Sequence, residues 1–212
     1  GFNHLKLPDI TLRAGDCEAA VLHAPDFGYR DQLWQITAEQ VRLDSQCLAK
    51  LPESPSSTST AKTLASWQSM LPAFQLSISQ LQILPWSQYS ASVHLLSQHG
   101  RQTLTLEGEQ LHLDAELNQK QLLLRQLSLT VAGLSQPLHV AGSITLAELT
   151  NQLPQTGRLN GQLSIAEIPL SLAFHWQQQQ GELTLTTPGQ SRPLLNLPWT
   201  VTPQSVDIHQ GQ

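Results

Sequence analysis

The sequence predicts an all-β protein dominated by an antiparallel meander between residues 74 and 208, and three observations predict it. The first is alternation. In Ile168-Pro169-Leu170-Ser171-Leu172-Ala173-Phe174-His175-Trp176 every even position is large and apolar, and the odd positions are small or polar. Successive side chains of a strand point to opposite faces, so this spacing makes one apolar face and one polar face. The second is recurrence of the same grammar at Leu111/Leu113/Ala115/Leu117, Leu127/Leu129/Val131, Leu138/Val140/Ile144/Leu146 and Leu159/Leu163/Ile165. Gln110/His112/Asp114/Glu116, Gln126/Ser128/Thr130 and His139/Ser143/Thr145 occupy the other side. The third is punctuation. Turn formers at His99-Gly100, Gly108, Asn118-Gln119, Gly133 to Pro137, Asn151 to Gly157, Gln178 to Gly181 and Pro188 to Pro193 set the rhythm of consecutive hairpins.

Ahead of the meander, residues 5–12 read as a strand broken at Pro8-Asp9, and Ala19 to Leu22 as a second, followed by a turn at Pro25 to Gly28. Leu33 to Leu43 reads as a third strand. Trp34, Ile36 and Ala38 share one side, and the phase then slips by one to Val41 and Leu43. Such a slip predicts a bulge or turn near Glu39-Gln40. Residues 51–60 form a low-complexity, turn-forming and mobile connector. A short helix is expected over 61–71: Ser59 or Thr60 caps it, Leu64, Trp67 and Leu71 line one face, and Pro72 stops it. The organisation expected is therefore N-terminal strands (1–50), connector and helix (51–72) and meander (73–212), in one continuous domain. Leu84-Pro85-Trp86-Ser87 is echoed by Leu197-Pro198-Trp199-Thr200. Proline cannot donate to a strand ladder, which predicts strand starts or bends at both places.

Composition excludes several functions. The net charge is −5, and the 11 Lys and Arg are scattered along the chain. Nucleic acid binding needs clustered cations that displace counterions, so it is excluded. The eight histidines show no HxH or HxxxH spacing, and no GxSxG, P-loop or CxxC occurs. No metal, cofactor or catalytic residue is expected. Asp114 and Glu116 share a polar strand face, which is the ordinary place for solvated carboxylates and not the cleft that a glycosidase needs. No apolar run reaches the 18 or so residues of a membrane helix. The chain opens Gly1-Phe2-Asn3 without Met, and this reads as a segment from which a targeting sequence is missing. The two cysteines, Cys17 and Cys47, are even in number in a β-rich chain. That favours a disulfide in an oxidising compartment over two separate buried thiols. The 39 leucines are unusual, because leucine is a mediocre strand former beside Val, Ile and Thr. Either residue usage is biased, or flexible aliphatic side chains supply a smooth wall for acyl chains.

An amphipathic sheet with no helical layer has three ways to cover its apolar face: closure into a sandwich or barrel, a membrane barrel, or a half-pipe open to an apolar ligand. The scarcity of aromatics argues against the girdles of a membrane barrel. The choice between the other two rests on a resemblance. The succession Leu104-x-Leu106-x-Gly108-x-x-Leu111-x-Leu113, the Met70-Leu71-Pro72 helix end, the spaced Cys17 and Cys47, Leu84-Pro85-Trp86 and the run His175 to Leu185 (HWQQQQGELTL) resemble the AsmA-like proteins of Gram-negative envelopes. The resemblance covers essentially the whole chain.

It implies a curved, twisted antiparallel sheet open along one seam. Such a protein is periplasmic, anchored to the inner membrane by an N-terminal helix absent from this stretch, and conducts phospholipids between the two membranes without covalent chemistry. The groove would be lined by Leu104, Leu106, Leu111, Leu113, Leu117, Leu127, Leu129, Val131, Leu138, Val140, Ile144, Leu146, Leu163, Ile165, Leu170, Leu172 and Phe174. Its partners would be phospholipid acyl chains, the remaining repeats of a longer protein and, at that protein's far C-terminal end, the outer-membrane lipoprotein YnbE. The alternative is a closed β-sandwich that serves the envelope as a scaffold and carries no lipid.

Overall fold

The computed structural model describes residues 4–50, 72–145, 156–190, 192–201 and 206–208. The connector expected at 51–60, the helix expected at 61–71 and Leu146 lie outside them. The described chain is almost wholly strand, in a sheet whose path has two ends and does not close into a barrel. It divides into two compact units, the first ending at His112 and the second beginning at Leu113.

In the first unit the strands are β1 (His4–Lys6), β2 (Ile10–Ala14), β3 (Cys17–His23), β4 (Asp26–Arg30), β5 (Leu33–Asp44), β6 (Phe74–Leu84), β7 (Ala91–Gln98) and β8 (Arg101–Glu107). The organising strand is β5. Its first half pairs with β4, from Asp26↔Thr37 to Arg30↔Leu33. Its second half pairs with β3, from Ala20↔Leu43 to His23↔Gln40. Along its other edge β6 runs parallel, from Trp34↔Phe74 to Asp44↔Leu84. A parallel pair needs a crossover and no hairpin can make one, so the meander begins only after this junction.

Two expectations are corrected here. Pro25 to Gly28 is no turn, because Asp26–Arg30 is strand β4. The reversal comes at Asp31-Gln32, whose positive φ values of 53° and 64° make a two-residue hairpin turn. The phase slip in β5 is real, since Ala38 and Val41 are both buried, but β5 stays in register with β6 through it. The extra residue is taken up one strand further on, where Ile78↔Val93 is followed by Leu81↔Ala91. The bulge therefore lies on β6, and the slip in β5 marks where its partner changes from β4 to β3.

A one-turn helix, α1 (Ser45–Leu48), follows β5. The Asp44 carboxylate caps it by accepting from the N–H groups of Gln46 (2.9 Å) and Cys47 (3.0 Å). That turn carries Cys47 to Cys17 at the start of β3, with a Cα–Cα distance of 5.7 Å, and the two form the expected disulfide.

At the other end of β3, Asp9 fastens the link between β1 and β2. Its carboxylate accepts from the backbone N–H of Ala24 (3.0 Å) and lies 2.8 Å from His23 Nδ1. The Ala24 bond first, then the His23 bond, holds its pKa below the ordinary 3.8. A carboxylate depressed in the folded state stabilises above its unfolded pKa, and that contribution is lost as pH falls through the folded value. Asp9→Asn is therefore expected to lower the melting temperature at neutral pH and to flatten the acid side of the profile, the difference from the parent vanishing as pH falls below about 4. A profile of unchanged shape would show that the link does not depend on this charge.

In the second unit, β9 (Leu111–Asn118), β10 (Gln121–Leu129), β11 (Gln136–Thr145), β12 (Thr156–Ile165), β13 (Ile168–Gln177), β14 (Gln180–Thr186), β15 (Leu195–Val201) and β16 (Val206–Ile208) follow in chain order. Strand β9 begins two residues before this unit does. From β10 on, each strand is antiparallel to the next, as the alternation predicts. The Leu-Pro-Trp echo is not a structural repeat. Leu84 ends β6, whereas Pro198 lies inside β15 opposite Glu182.

Candidate binding face

Register brings the alternating apolar residues of each unit onto one side. In the first unit Ile78↔Val93↔Leu106 and Leu76↔Leu95↔Leu104 form cross-strand rows. They continue into β5 through Ala38↔Ile78 and Ile36↔Leu76. Ala38, Val41, Ile78 and Val93 form its buried centre, with Leu22, Leu43, Leu76, Leu81, Leu104 and Leu106 packed around them. Val41, Ile78 and Val93, buried here, each contribute about 1.5–3 kcal/mol by leaving water, and the partly covered leucines correspondingly less.

The second unit carries a wider version. One row runs Leu127–Val140–Gly161–Leu172–Leu185–Leu195 across six strands, and the next runs Leu124–Gly142–Leu159–Phe174–Leu183–Leu197. A third runs Leu122–Ile144–Gly157–Trp176–Gly181–Trp199. On the other flank are the pairs Leu129↔Leu138, Leu163↔Leu170 and Ile165↔Ile168. Most of these side chains are half-buried: neighbours in the rows cover one another's flanks, and part of each aliphatic surface stays open. Ile165, Ile168 and Leu195 are exposed, and Leu170 and Trp176 are buried. Trp and Gly alternate in the third row because each indole lies flat over the glycine of the neighbouring strand, leaving no room for a side chain there. Phe174 joins this cluster, its ring centre 5.0 Å from that of Trp176 and 5.4 Å from that of Trp199.

The polar sides coincide as well. Arg125 of β10 pairs with Glu116 and, at 3.7 Å, with Asp114 of β9. The two carboxylates are thus held by one cation, the Glu116 side chain largely covered and Asp114 more open, and Leu113, Ala115 and Leu117 alternate with them onto the other side of the strand. Among the described residues no group of three or more potential metal ligands occurs. No helix among them is long and apolar enough to cross a membrane.

Of the residues expected to share a face, Leu104 and Leu106 lie in β8, Leu111, Leu113 and Leu117 in β9, and Leu127 and Leu129 in β10. Leu138, Val140 and Ile144 lie in β11, Leu163 and Ile165 in β12, and Leu170, Leu172 and Phe174 in β13. Val131 lies just past the end of β10, which stops at Leu129, and its carbonyl accepts from the Leu134 N–H in the turn that follows. Sequence reading missed Leu122 and Leu124. A bulge sets Arg125 and Gln126 against Ala141 alone, so these even-numbered leucines join the odd-numbered Leu127 and Leu129 on one face. Leu183/Leu185 and Leu195/Leu197 carry the same L-x-L signal as the strands that were recognised, and extending the alternation into β14 and β15 finds them.

The family model described as "YdbH-like: Intermembrane phospholipid transport protein YdbH" matches residues 1–212. The curated protein "Probable phospholipid transport protein YdbH" of Escherichia coli (strain K12) is 29% identical over 210 residues, which is 98% of this chain and 24% of the relative. The chain therefore spans about a quarter of that relative's length. No solved structure matches it significantly.

Proposed function

We propose, from the premise that this chain belongs to the YdbH-like family of intermembrane phospholipid transport proteins, that its apolar face holds phospholipid acyl chains while headgroups remain in solvent. The observation that carries the reading is the set of aliphatic rows across β10–β15, half-buried and partly open, in a sheet that does not close into a barrel. Each methylene leaving water for such a face gains about 0.8 kcal/mol, so a few turns of an acyl chain outweigh the cost of confining it. Transport along the face breaks no covalent bond, so no catalytic group is required.

On this reading the groove lining comprises the expected leucines that the strands hold on the apolar side, from Leu104 to Phe174, together with Leu122, Leu124, Leu159, Leu183, Leu185 and Leu197. The segment is part of a bridge across the periplasm anchored in the inner membrane. The remaining repeats of the longer protein extend the face, and the lipoprotein YnbE docks at its far C-terminal end.

Photocrosslinking tests this. A photoreactive amino acid at Leu113 or Leu172 is expected to capture phospholipid, identified by mass spectrometry of the adduct, whereas one at Asn160 on the polar side is not. Absence of lipid adducts at Leu113, Leu172 and Leu183, with no phospholipid in organic extracts of the purified chain, would leave the scaffold role as the better account.

A further inference from the structure

The side of the second unit opposite the leucines is not flat. A hollow of about 490 Å3 opens there over β10–β14. Its cause is local. One cross-strand row reads His139–Gln162–Ser171–Thr186, and the next reads Ala141–Asn160–Ala173–Thr184. The row beyond carries Arg158, His175 and Glu182, with His175 Nε2 3.6 Å from Glu182. Two alanines between rows of long side chains leave the floor low, and the bulge at Arg125-Gln126 shapes its wall.

We infer that this hollow is a second binding site, for a neutral polyhydroxylic ligand such as a short glycan. Three chemical arguments select that class. An apolar ligand would strip water from the amides and hydroxyls of Asn160, Gln162, Ser171, Thr184 and Thr186 and return no hydrogen bond, which costs free energy at each group. Of the residues that line the hollow Arg125 is the one arginine or lysine, and its guanidinium is already engaged by Glu116 and Asp114, which disfavours an anion there. A ligand rich in hydroxyls both donates and accepts, which matches amides and hydroxyls that carry no side-chain hydrogen bond to any of the described residues. No Trp, Tyr or Phe lines the hollow, so recognition rests chiefly on hydrogen bonds and the expected dissociation constant is about millimolar. The site stands on the face opposite the proposed lipid groove and does not depend on that reading.

The test is an NMR titration of the 15N-labelled chain with chitotriose, with maltotriose and, as the anionic comparison, with glycerol 3-phosphate. Saturable shifts with a sugar, confined to the amides of residues 139–141, 160–162, 171–173 and 184–186, are expected. Ala173→Leu fills the floor and is expected to weaken the response by about tenfold or more, equivalent to about 1.4 kcal/mol. Asn160→Ala, a surface change with little risk to folding, is expected to weaken it as well. The inference is overturned if neither sugar gives a saturable shift, if the shifts fall on the leucine side, if glycerol 3-phosphate gives the larger response, or if both variants bind as the parent does.

Discussion

Replacing Gly157 or Gly181 with alanine is expected to destabilise the β12–β15 end of the second unit by about 1–3 kcal/mol, a large effect for a single methyl group. A Cβ on Gly157 would occupy the volume of the Trp176 ring, and one on Gly181 that of the Trp199 ring. Neither indole can swing aside cheaply. Trp176 is 8% exposed, and Phe174 lies between the two, tilted against Trp176 and stacked within 9° of parallel on Trp199. Moving either ring therefore disturbs the other two. The check is a denaturation curve followed by tryptophan fluorescence. Gly157→Ala combined with Trp176→Leu should recover part of the loss, because the smaller side chain vacates the disputed space; such non-additivity is what contact between the two positions requires. A Gly157→Ala protein within about half a kcal/mol of the parent would show that the indole does not rest on this strand.

Loss of the Cys17–Cys47 bond has the second large expected effect. The two cysteines are 30 positions apart in sequence, and closing a loop of that length restricts the unfolded chain enough to stabilise the fold by about 3–4 kcal/mol on the chain-entropy account. Cys47 is 5% exposed and sits on a single helical turn fastened by the Asp44 cap, by the Ser45 hydroxyl's bond to the Leu84 carbonyl at 2.8 Å, and by the Ala49 and Lys50 N–H bonds to the Ser45 and Cys47 carbonyls. Without the crosslink that turn is too short to persist by itself. Cys47→Ser should shift the denaturation midpoint of the first unit far more than that of the second. Equal midpoint shifts in both units, or no shift in either, would contradict the disulfide's local role.

The fold was legible wherever apolar periodicity stayed in phase. Ile168 to Trp176 reads as a strand because nine consecutive positions alternate, and register then pairs it with equally regular neighbours. The disulfide was legible for a simpler reason: two cysteines in an oxidising setting have one possible partner each. The site was legible in part. Leu127, Val140 and Leu172 fall in one row because direct pairing links them, Leu127↔Val140 and, through Gly161, Val140 to Leu172, past the bulge in β10. Leu122 and Leu124 were hidden because one extra residue in a strand sends every later side chain to the opposite face, and the bulge at Arg125-Gln126 leaves no mark in composition.

What the sequence determined by itself is the local grammar: that the regularly alternating stretches are strands, that each of these has one aliphatic and one polar side, and that the chain lacks the charge and ligand spacings of a nucleic-acid or metal-binding protein. Those properties depend on neighbours one or two positions apart. Only the tertiary structure decided that β6 runs parallel to β5, that β4 and β3 share one edge of β5, that Pro198 is tolerated inside β15, and that Ala141 and Ala173 stand side by side beneath a hollow on the polar face. Each of these joins residues far apart along the chain, and pairing at that range is set by how whole faces pack, which no short window of sequence contains.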